Sequence, residues 1–576
     1  MSYSNVTGNQ TGQDFTYTGN FTWTGTTTTD WNTSTNWNSN ATPSPTDNAI
    51  IPGVGITNYP VVNELSASSA VCNNLTINSG GKLTIAAGKA LTVNGNLTSS
   101  ADSTGLVIKS NINGTGSLKV LGSVSAPASV QRFASLNRWY LVSSPIGTQT
   151  LKDFIAKNTD IPILSNDANT YGMRGYSEGD LSEWGNYFTN DYLTDNSALG
   201  MGVGKGYLVR TFTDGLPKTL KFQGHLNSQG NLDVTLKNSG TNGWNLIGNP
   251  YTAAIKIYDG TAAIEGTPDN FINANHNKFD DVAYGVYFWN DASIPKKFDV
   301  INNINKPITY AQVGQGFFVK ALASGSSTMQ FTTNMQNHKG DEVLKSTVAP
   351  YPKIELIASI SGQSASTDIL FIEGATKGLD RGYDAGILKA DLSFSIYTKL
   401  VETFDAEFQL QCLPINQYNN LVIPIGIDSK AAGEIVLSVE TVQLDPTCKV
   451  ILEDRLTHSF TDLSKNSYKT SVVANTSTSD RFFLHTGDIV SGVEDQVLPE
   501  KLTAYAIGNK EIRVLGDVGN DAVAMLVNGL GQVVLTKKLG AGNLNIIGLP
   551  NLNSGVYLLN INDNGTPQTI KIMIRE

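Results

Sequence analysis

Gly175-Tyr176-Ser177-Glu178-Gly179 has the G-x-S-x-G spacing that can present a nucleophilic serine. That chemistry needs a strand before the serine, a helix after it and a base beside its hydroxyl. Here both flanks read as loop, so a surface turn is expected. Gly202-Val203-Gly204-Lys205-Gly206 has the glycine content of a phosphate loop. It precedes a strand, whereas a phosphate site needs the free N–H groups of a helix N-terminus. Its duplicate, Val313-Gly314-Gln315-Gly316, lacks the lysine, so both read as strand starts where backbones approach closely. His225, His276, His338, His458 and His485 lie far apart, and no HExxH or CxxC spacing exists for zinc. Asp259, Glu265, Asp269, Asp280 and Asp281 crowd one stretch with Asn270, Asn273 and Asn275. Without EF-hand spacing this reads as a solvated acidic loop rather than a calcium site. A glycosidase pair is defined by carboxylate separation across a fold, which a sequence does not give. No catalytic residue, metal ligand or cofactor is assigned, and no enzymatic activity is expected.

Composition narrows the classes further. The 576 residues suggest about four domains at roughly 150 residues each. With 40 Lys+Arg against 50 Asp+Glu the net charge is −10, which lacks the basic footprint of a nucleic-acid binder. Only 16% of residues are charged, below the ~25% usual in soluble domains. Ser, Thr and Asn must therefore supply the polar surface, with 55 Gly for turns, as in a β-rich extracellular chain. No run approaches the ~18 apolar residues of a membrane helix. The first residues have neither a basic nor an apolar leader segment, so either a cytosolic protein or a mature or truncated form is expected. Cys412 and Cys448 fall in one expected domain and can pair in an oxidising compartment; buried free thiols are the alternative.

The elements that must position these residues read as strands. Residues 1–128 begin with a Thr/Asn-rich stretch holding Trp23, Trp31 and Trp37, either buried as a cap or facing solvent to grip sugars. Leu75-Thr76-Ile77, Leu83-Thr84-Ile85 and Leu91-Thr92-Val93 then recur every eight residues, each with two apolar residues on one face and Thr on the other. A small parallel β-solenoid fits this spacing, with a β-meander as the alternative. Next comes a duplication. Residues 138–145 match 243–250, and 204–210 match 314–320, so that Trp139 corresponds to Trp244 and Tyr207 to Phe317. Segments 129–235 and 236–347 are therefore tandem β-units, and both tryptophans are expected in the core. After each comes a short, helix-like piece, 151–154 and 255–258. Residues 348–487 alternate as seven short strands, which predicts an antiparallel β-sandwich. Residues 488–500 lose the alternation and read as a linker. Residues 501–576 resume it, with Asn528-Gly529 as a hairpin signal and a net charge of +2, seven Lys/Arg against five Asp/Glu.

That last segment carries three motifs in order: Val527-Asn528-Gly529-Leu530-Gly531-Gln532-Val533, then Leu549-Pro550…Gly555-Val556-Tyr557-Leu558, then Lys571-Ile572-Met573-Ile574-Arg575. Together they closely resemble the type A C-terminal sorting domain of Bacteroidota type IX secretion cargo. Many members carry Asp where this chain has Gly529. The resemblance implies a small β-sandwich whose secretion-signal residues are Gly529, Gly531, Gln532, Gly555, Val556, Tyr557, Lys571, Ile572 and Ile574. It implies as partners the outer-membrane translocon and its shuttle protein, with a sortase that removes the domain and joins cargo to lipopolysaccharide. Trp23-Thr24-Gly25, Asp30-Trp31-Asn32 and Asn36-Trp37 resemble the opening of large Bacteroidota surface adhesins. Leu452-Glu453-Asp454 with residues 480–485 resembles the domain that often precedes a sorting signal. Asp102-Ser103-Thr104 fits a Bacteroidota O-glycosylation sequon, with Ser103 as the acceptor.

The reading is an all-β, multidomain chain: a β-solenoid-like N-terminal region, tandem β-domains, a β-sandwich and a sorting-domain β-sandwich. Its expected function is that of a cell-surface protein exported by the type IX system, an adhesin or gliding-motility component at the outer membrane. The rival is a carbohydrate-binding or carbohydrate-active cargo, with a surface glycan as ligand.

Overall fold

The Leu-Thr-Ile triplets are strands in the computed structural model. It describes the chain except residues 1–18, 64–69, 165–168, 177–183, 212–217, 239–241, 260–268, 292, 305–308, 323–326, 340–350, 390–391, 402–405, 446–447, 479, 488–501, 508–509, 520, 529–530, 551, 554, 564–565 and 575–576. The architecture is nearly all β, with a few short helices. Two compact units emerge, Met1–Ile489 and Val490–Glu576.

In the first unit the eight-residue spacing turns out to be one strand per face of a three-sided coil. Leu75–Ile77, Leu83–Ile85 and Ala90–Val93 belong to three different sheets. Their partners one turn on are Leu97–Ser99, Leu106–Ile108 and Ser117–Val120, all parallel. Parallel pairing makes this a solenoid and excludes the meander. Leu75, Ile77, Leu83, Ile85, Leu91 and Val93 are 0% exposed, so each contributes about 1.5–3 kcal/mol of burial to one shared core. Asparagines mark one corner of the coil. Asn48 Nδ2 donates to Asn20 Oδ1 at 2.9 Å, Asn74 Nδ2 to Asn48 Oδ1 at 2.8 Å, and Asn96 N–H to Asn74 Oδ1 at 2.7 Å. A chain that turns at each corner leaves backbone groups unpaired, and the stacked amides satisfy them.

Trp23, Trp31 and Trp37 are at most 1% exposed and pack edge to face, with centroids 5.0 and 4.9 Å apart. They are a core, and the sugar-gripping alternative for them falls. At the other end, strand Pro127–Ala134 continues the second sheet in parallel with Leu106–Ile108 and pairs antiparallel with Lys218–His225. The free edge of Ser117–Val120 is closed by Thr252, whose carbonyl accepts from Leu118 N–H at 2.8 Å and whose hydroxyl donates back to Leu118 O at 2.7 Å. His338 clips the same face, its ring nitrogens 2.9 Å from Thr92 Oγ1 and 2.8 Å from Ser117 Oγ.

The duplicated segments form two four-stranded sheets of identical order. Trp139–Ser143, Gly206–Arg210, Thr170–Tyr176 and Trp184–Thr189 match Trp244–Gly248, Gly316–Lys320, Val286–Asn290 and Lys297–Ile301. The registers agree too: Trp139 faces Arg210 and Val142 faces Tyr207, as Trp244 faces Lys320 and Ile247 faces Phe317. The two sheets meet reciprocally. Ser143 N–H donates to Gly314 O at 3.1 Å, and its counterpart Gly248 N–H donates to Gly204 O, the counterpart of Gly314, at 2.9 Å. This is the isologous pattern of a two-fold dimer, built within one chain.

Two expectations are corrected here. Trp244 is 5% exposed, but Trp139 is only half-buried, between Tyr187 and the Arg210 guanidinium. Leu151–Lys157 is a helix capped by Thr150, whereas Ala254–Tyr258 is a strand paired with Thr309–Ala311. Ile255 and Ile257 are β-branched and no cap precedes them, so the partner strand decides.

Residues 351–487 form one twelve-stranded sheet, antiparallel apart from the parallel pair Gln363–Ile372 and Glu407–Pro414. Residues from both ends of its strand order, Leu452 and Val472 among them, share one core, so the sheet folds over on itself. Asp454 closes it, accepting from Arg481 Nη2 at 2.6 Å and from the Tyr468 hydroxyl at 2.6 Å. Cys72, Cys412 and Cys448 are buried free thiols.

The second unit is a two-sheet sandwich. Thr503–Ile507, Glu511–Val518 and Gly542–Gly548 make one sheet. Val533–Lys538, Val523–Val527, Gly555–Asp563 and Thr566–Ile574 make the other, in that order. Ile512, Val514, Leu526, Leu559, Ile561 and Ile572 fill the space between them.

Candidate functional site

The three C-terminal motifs, scattered over almost fifty residues, meet at one end of the four-stranded sheet. Val527 pairs with Leu558, and Leu558 pairs with Lys571, so one row across the sheet touches all three. The next residues pair as Tyr557 with Ile572, Val556 with Met573 and Gly555 with Ile574. Alternation sends Tyr557, Ile572 and Ile574 inward at 8%, 1% and 0% exposure, while Val556 is 44% exposed and Lys571 is exposed. The Tyr557 hydroxyl donates to Asn553 O at 2.9 Å, which pins the chain entering this strand.

The turn between Val523–Val527 and Val533–Lys538 lies at the same end. Asn528 N–H donates to Gln532 O at 2.9 Å, and Gln532 N–H to Asn528 Oδ1 at 3.0 Å. Gly531 has φ +80°, and a Cβ at this position would meet nothing within 4 Å, so glycine is there for its backbone freedom and not for space. The left-handed position among the described residues of this turn is Gly531; Gly529, of the Asn528-Gly529 hairpin signal, lies outside them.

Sequence reasoning missed the apolar outer face beside these motifs. Met525, Val533 and Leu558 are 37%, 55% and 43% exposed. Their signal was a broken alternation: the outward positions of Val523–Val527 and Gly555–Asp563 carry Met, Val and Leu where a solvated face carries polar residues. Thr566–Ile574 is the last strand of its sheet among the described residues, and Pro567 in it suits an edge position.

The residues weighed for chemistry lie elsewhere. Ser177 and Glu265 fall outside the described residues. Gly206 and Gly316 sit where a Cβ would lie 2.6 Å from Leu246 Cγ and 3.1 Å from the Val142 backbone, so the close approach expected of both glycine clusters is observed. Asn270, Asn273 and Asn275 are buried; Asn270 caps the short helix Phe271–Ala274, and Asn275 accepts from Gln330 N–H at 2.8 Å. Asp280 takes Val282 and Ala283 N–H, and Asp281 pairs with Arg381 at 2.6 Å. Among the described residues no three metal-type ligands come together. Ser103 lies in a turn in which Asp102 Oδ1 accepts from the Thr104 hydroxyl and N–H.

Leu452-Glu453-Asp454 and residues 480–485 are brought onto adjacent strands, Glu453 opposite Phe483 and Ile451 opposite His485. His485 Nε2 lies 2.8 Å from Glu453 Oε2. Burial would raise the Glu453 carboxyl, but the His485 and Arg455 bonds outweigh it and hold it below its ordinary value. The same balance lowers Asp454: burial opposes, and Arg481, Tyr468 and the Leu456 N–H prevail. Both are structural clasps.

Similarity to known proteins divides along the same boundary. Residues 22–485 match a family described as a domain of unknown function, DUF8693. Residues 510–575 match the secretion system C-terminal sorting domain. No curated protein matches the chain. A solved structure titled as the BSP domain of a biofilm associated protein is 12% identical, covering 78% of this chain and 92% of its own, at a TM-score of 0.18. The chain belongs to the DUF8693 family and, by the sorting domain in which its three C-terminal motifs meet, is cargo of the type IX secretion system.

Proposed function

We propose that this protein is a non-enzymatic surface adhesin, or a gliding-motility component, exported across the outer membrane and held there, with residues 501–576 as a type A signal. The observation that carries the export half is the convergence of Gly531-Gln532, Val556-Tyr557 and Lys571 on one sheet end, beside the exposed Val533 and Leu558. An exposed apolar patch next to a cation and an edge strand suits docking on the translocon and its shuttle protein by strand addition. Removal of the domain by a sortase and attachment to lipopolysaccharide would follow. The adhesin half is supported by the way the first unit spends its large side chains, on stacked sheets such as the tryptophan cluster and the reciprocal pair. Lys571→Glu and Val556→Asp test the export half, since both positions are exposed and neither change disturbs the core. Each should lower the surface-displayed fraction several-fold, measured by protease accessibility on intact cells, while the purified variants keep wild-type melting. Unchanged display in both would contradict the assigned surface.

A further inference from the structure

We propose that one face of the solenoid, the sheet Asn20–Thr22, Asn48–Ile51, Leu75–Ile77, Leu97–Ser99 and Val124–Ser125, binds crystalline water. All its ladders are parallel and in register, so each outward position repeats from rung to rung. Thr22, Ile50, Thr76, Thr98 and Ser125 thereby form one straight rank, the last two exposed and the others half-buried. The corner asparagines Asn20, Asn48, Asn74 and Asn96 flank it, two residues earlier in each rung. Strand spacing and rise then set a mesh of about 4.8 by 6.6 Å.

Three features keep that mesh regular. Sheets ordinarily twist, and side-chain ladders are one device that flattens them. Here the asparagines bond rung to rung at 2.9, 2.8 and 2.7 Å. Threonine is stiff at χ1, so its hydroxyl and methyl stay in place, and Thr76 Oγ1 lies 3.5 Å from Thr98 Oγ1 along the rank. Lastly, none of the five strands contains a charged residue. The other two sheets of the coil do: one carries Lys119, the other Arg132, Lys218 and Lys221. Both are also engaged, the first under His338 and the second continuing into the duplicated units.

Size and chemistry select the occupant. A small ligand needs a concave site, and this face is flat. Five rungs by two ranks cover about 200 Å2, whereas a stable protein partner needs ~800 Å2 on each side. A polysaccharide surface is gripped by open aromatic rings, but Phe21, the one ring in these strands, packs against the core. What remains is an uncharged solid that repeats as the face repeats and offers donors and acceptors at every lattice point. Ice is such a solid. Stiff rows of hydroxyl and methyl groups hold water at a lattice spacing, while a charge would orient water around itself. The inference goes beyond export and beyond the adhesin reading, and rests on neither.

The purified full chain tests it in a freezing-point osmometer and by adsorption to a growing ice hemisphere, with microcrystalline cellulose as the competing solid. The chain should shape ice crystals, hold their growth below the melting point, and enter ice without adsorbing to cellulose. Thr76→Tyr and Thr98→Tyr each raise a ring above the rank and hold the lattice off its neighbours. Contact attraction falls steeply over an ångström, so each should cut the gap between melting and freezing at least about fivefold. Thr84→Tyr, at an outward threonine on another sheet of the same coil, should leave that gap unchanged. Circular dichroism melting confirms that all three variants fold. The proposal is overturned if the folded chain neither shapes nor enters ice, or if it adsorbs to cellulose instead. It is equally overturned if Thr76→Tyr and Thr98→Tyr match the wild type, or if Thr84→Tyr loses as much as they do.

Discussion

Trp139 and Trp244 occupy the same register in matching sheets and have different fates. Trp244 is enclosed, edge to face with Tyr287 at 4.7 Å, and Trp244→Ala should cost roughly 3–5 kcal/mol. Trp139→Ala should cost clearly less, since half of its surface is already hydrated; denaturant unfolding of both variants checks the ranking. Asp454 is a second decisive residue. Its side chain is 0% exposed against an Arg481 that is 14% exposed, so Asp454→Ala strands a cation and should cost about 3–5 kcal/mol by the same measurement. What a sequence conveys at this scale is the position of a tryptophan in a repeat. How much of it is covered depends on Tyr187 and Arg210, which belong to strands paired only in the fold.

At the scale of elements, the Leu-Thr-Ile spacing contained the solenoid because each strand shows the same inward pair. The spacing did not reveal that successive triplets lie on different faces; the Asn20, Asn48, Asn74 and Asn96 corners settle that, and they recur at uneven intervals. The helix at Leu151–Lys157 and the strand at Ala254–Tyr258 illustrate the converse: related sequences diverge when one has a capping threonine and the other a waiting edge. The reciprocal glycines make a sharper test. Gly206→Ala and Gly316→Ala each push a methyl into the opposite sheet and should destabilise the first unit by similar amounts, about 1–3 kcal/mol, in thermal unfolding.

His338 ties the second sheet's trailing segment to the solenoid and makes that clasp depend on pH. Burial first, then Lys119, pushes its imidazole from 6.5 down to about 4. Between those values the unfolded chain binds a proton that the folded chain excludes. The contribution is therefore whole above pH 6.5 and is lost as pH falls toward 4, by at most about 3 kcal/mol. Comparing urea unfolding of the wild type and His338→Gln at pH 7 and pH 4.5 isolates it, because the other titrating groups are shared. The wild type should lose more stability than the variant over that interval.

The whole molecule is two compact units with separate work, the division at Ile489 falling where the alternating pattern lapses. The three C-terminal motifs were legible in the sequence, but not that they share one sheet end; that required the pairing of Val527, Leu558 and Lys571. The most direct test of the account follows from the division of labour. The full chain and a chain lacking residues 569–576 are expressed in the native cell, and surface, outer-membrane and periplasmic fractions are compared. Loss of the edge strand should leave Met1–Ile489 folded, as judged by limited proteolysis, and should strand the protein in the periplasm. Normal surface display of the shortened chain would contradict the assignment of export to this sheet end.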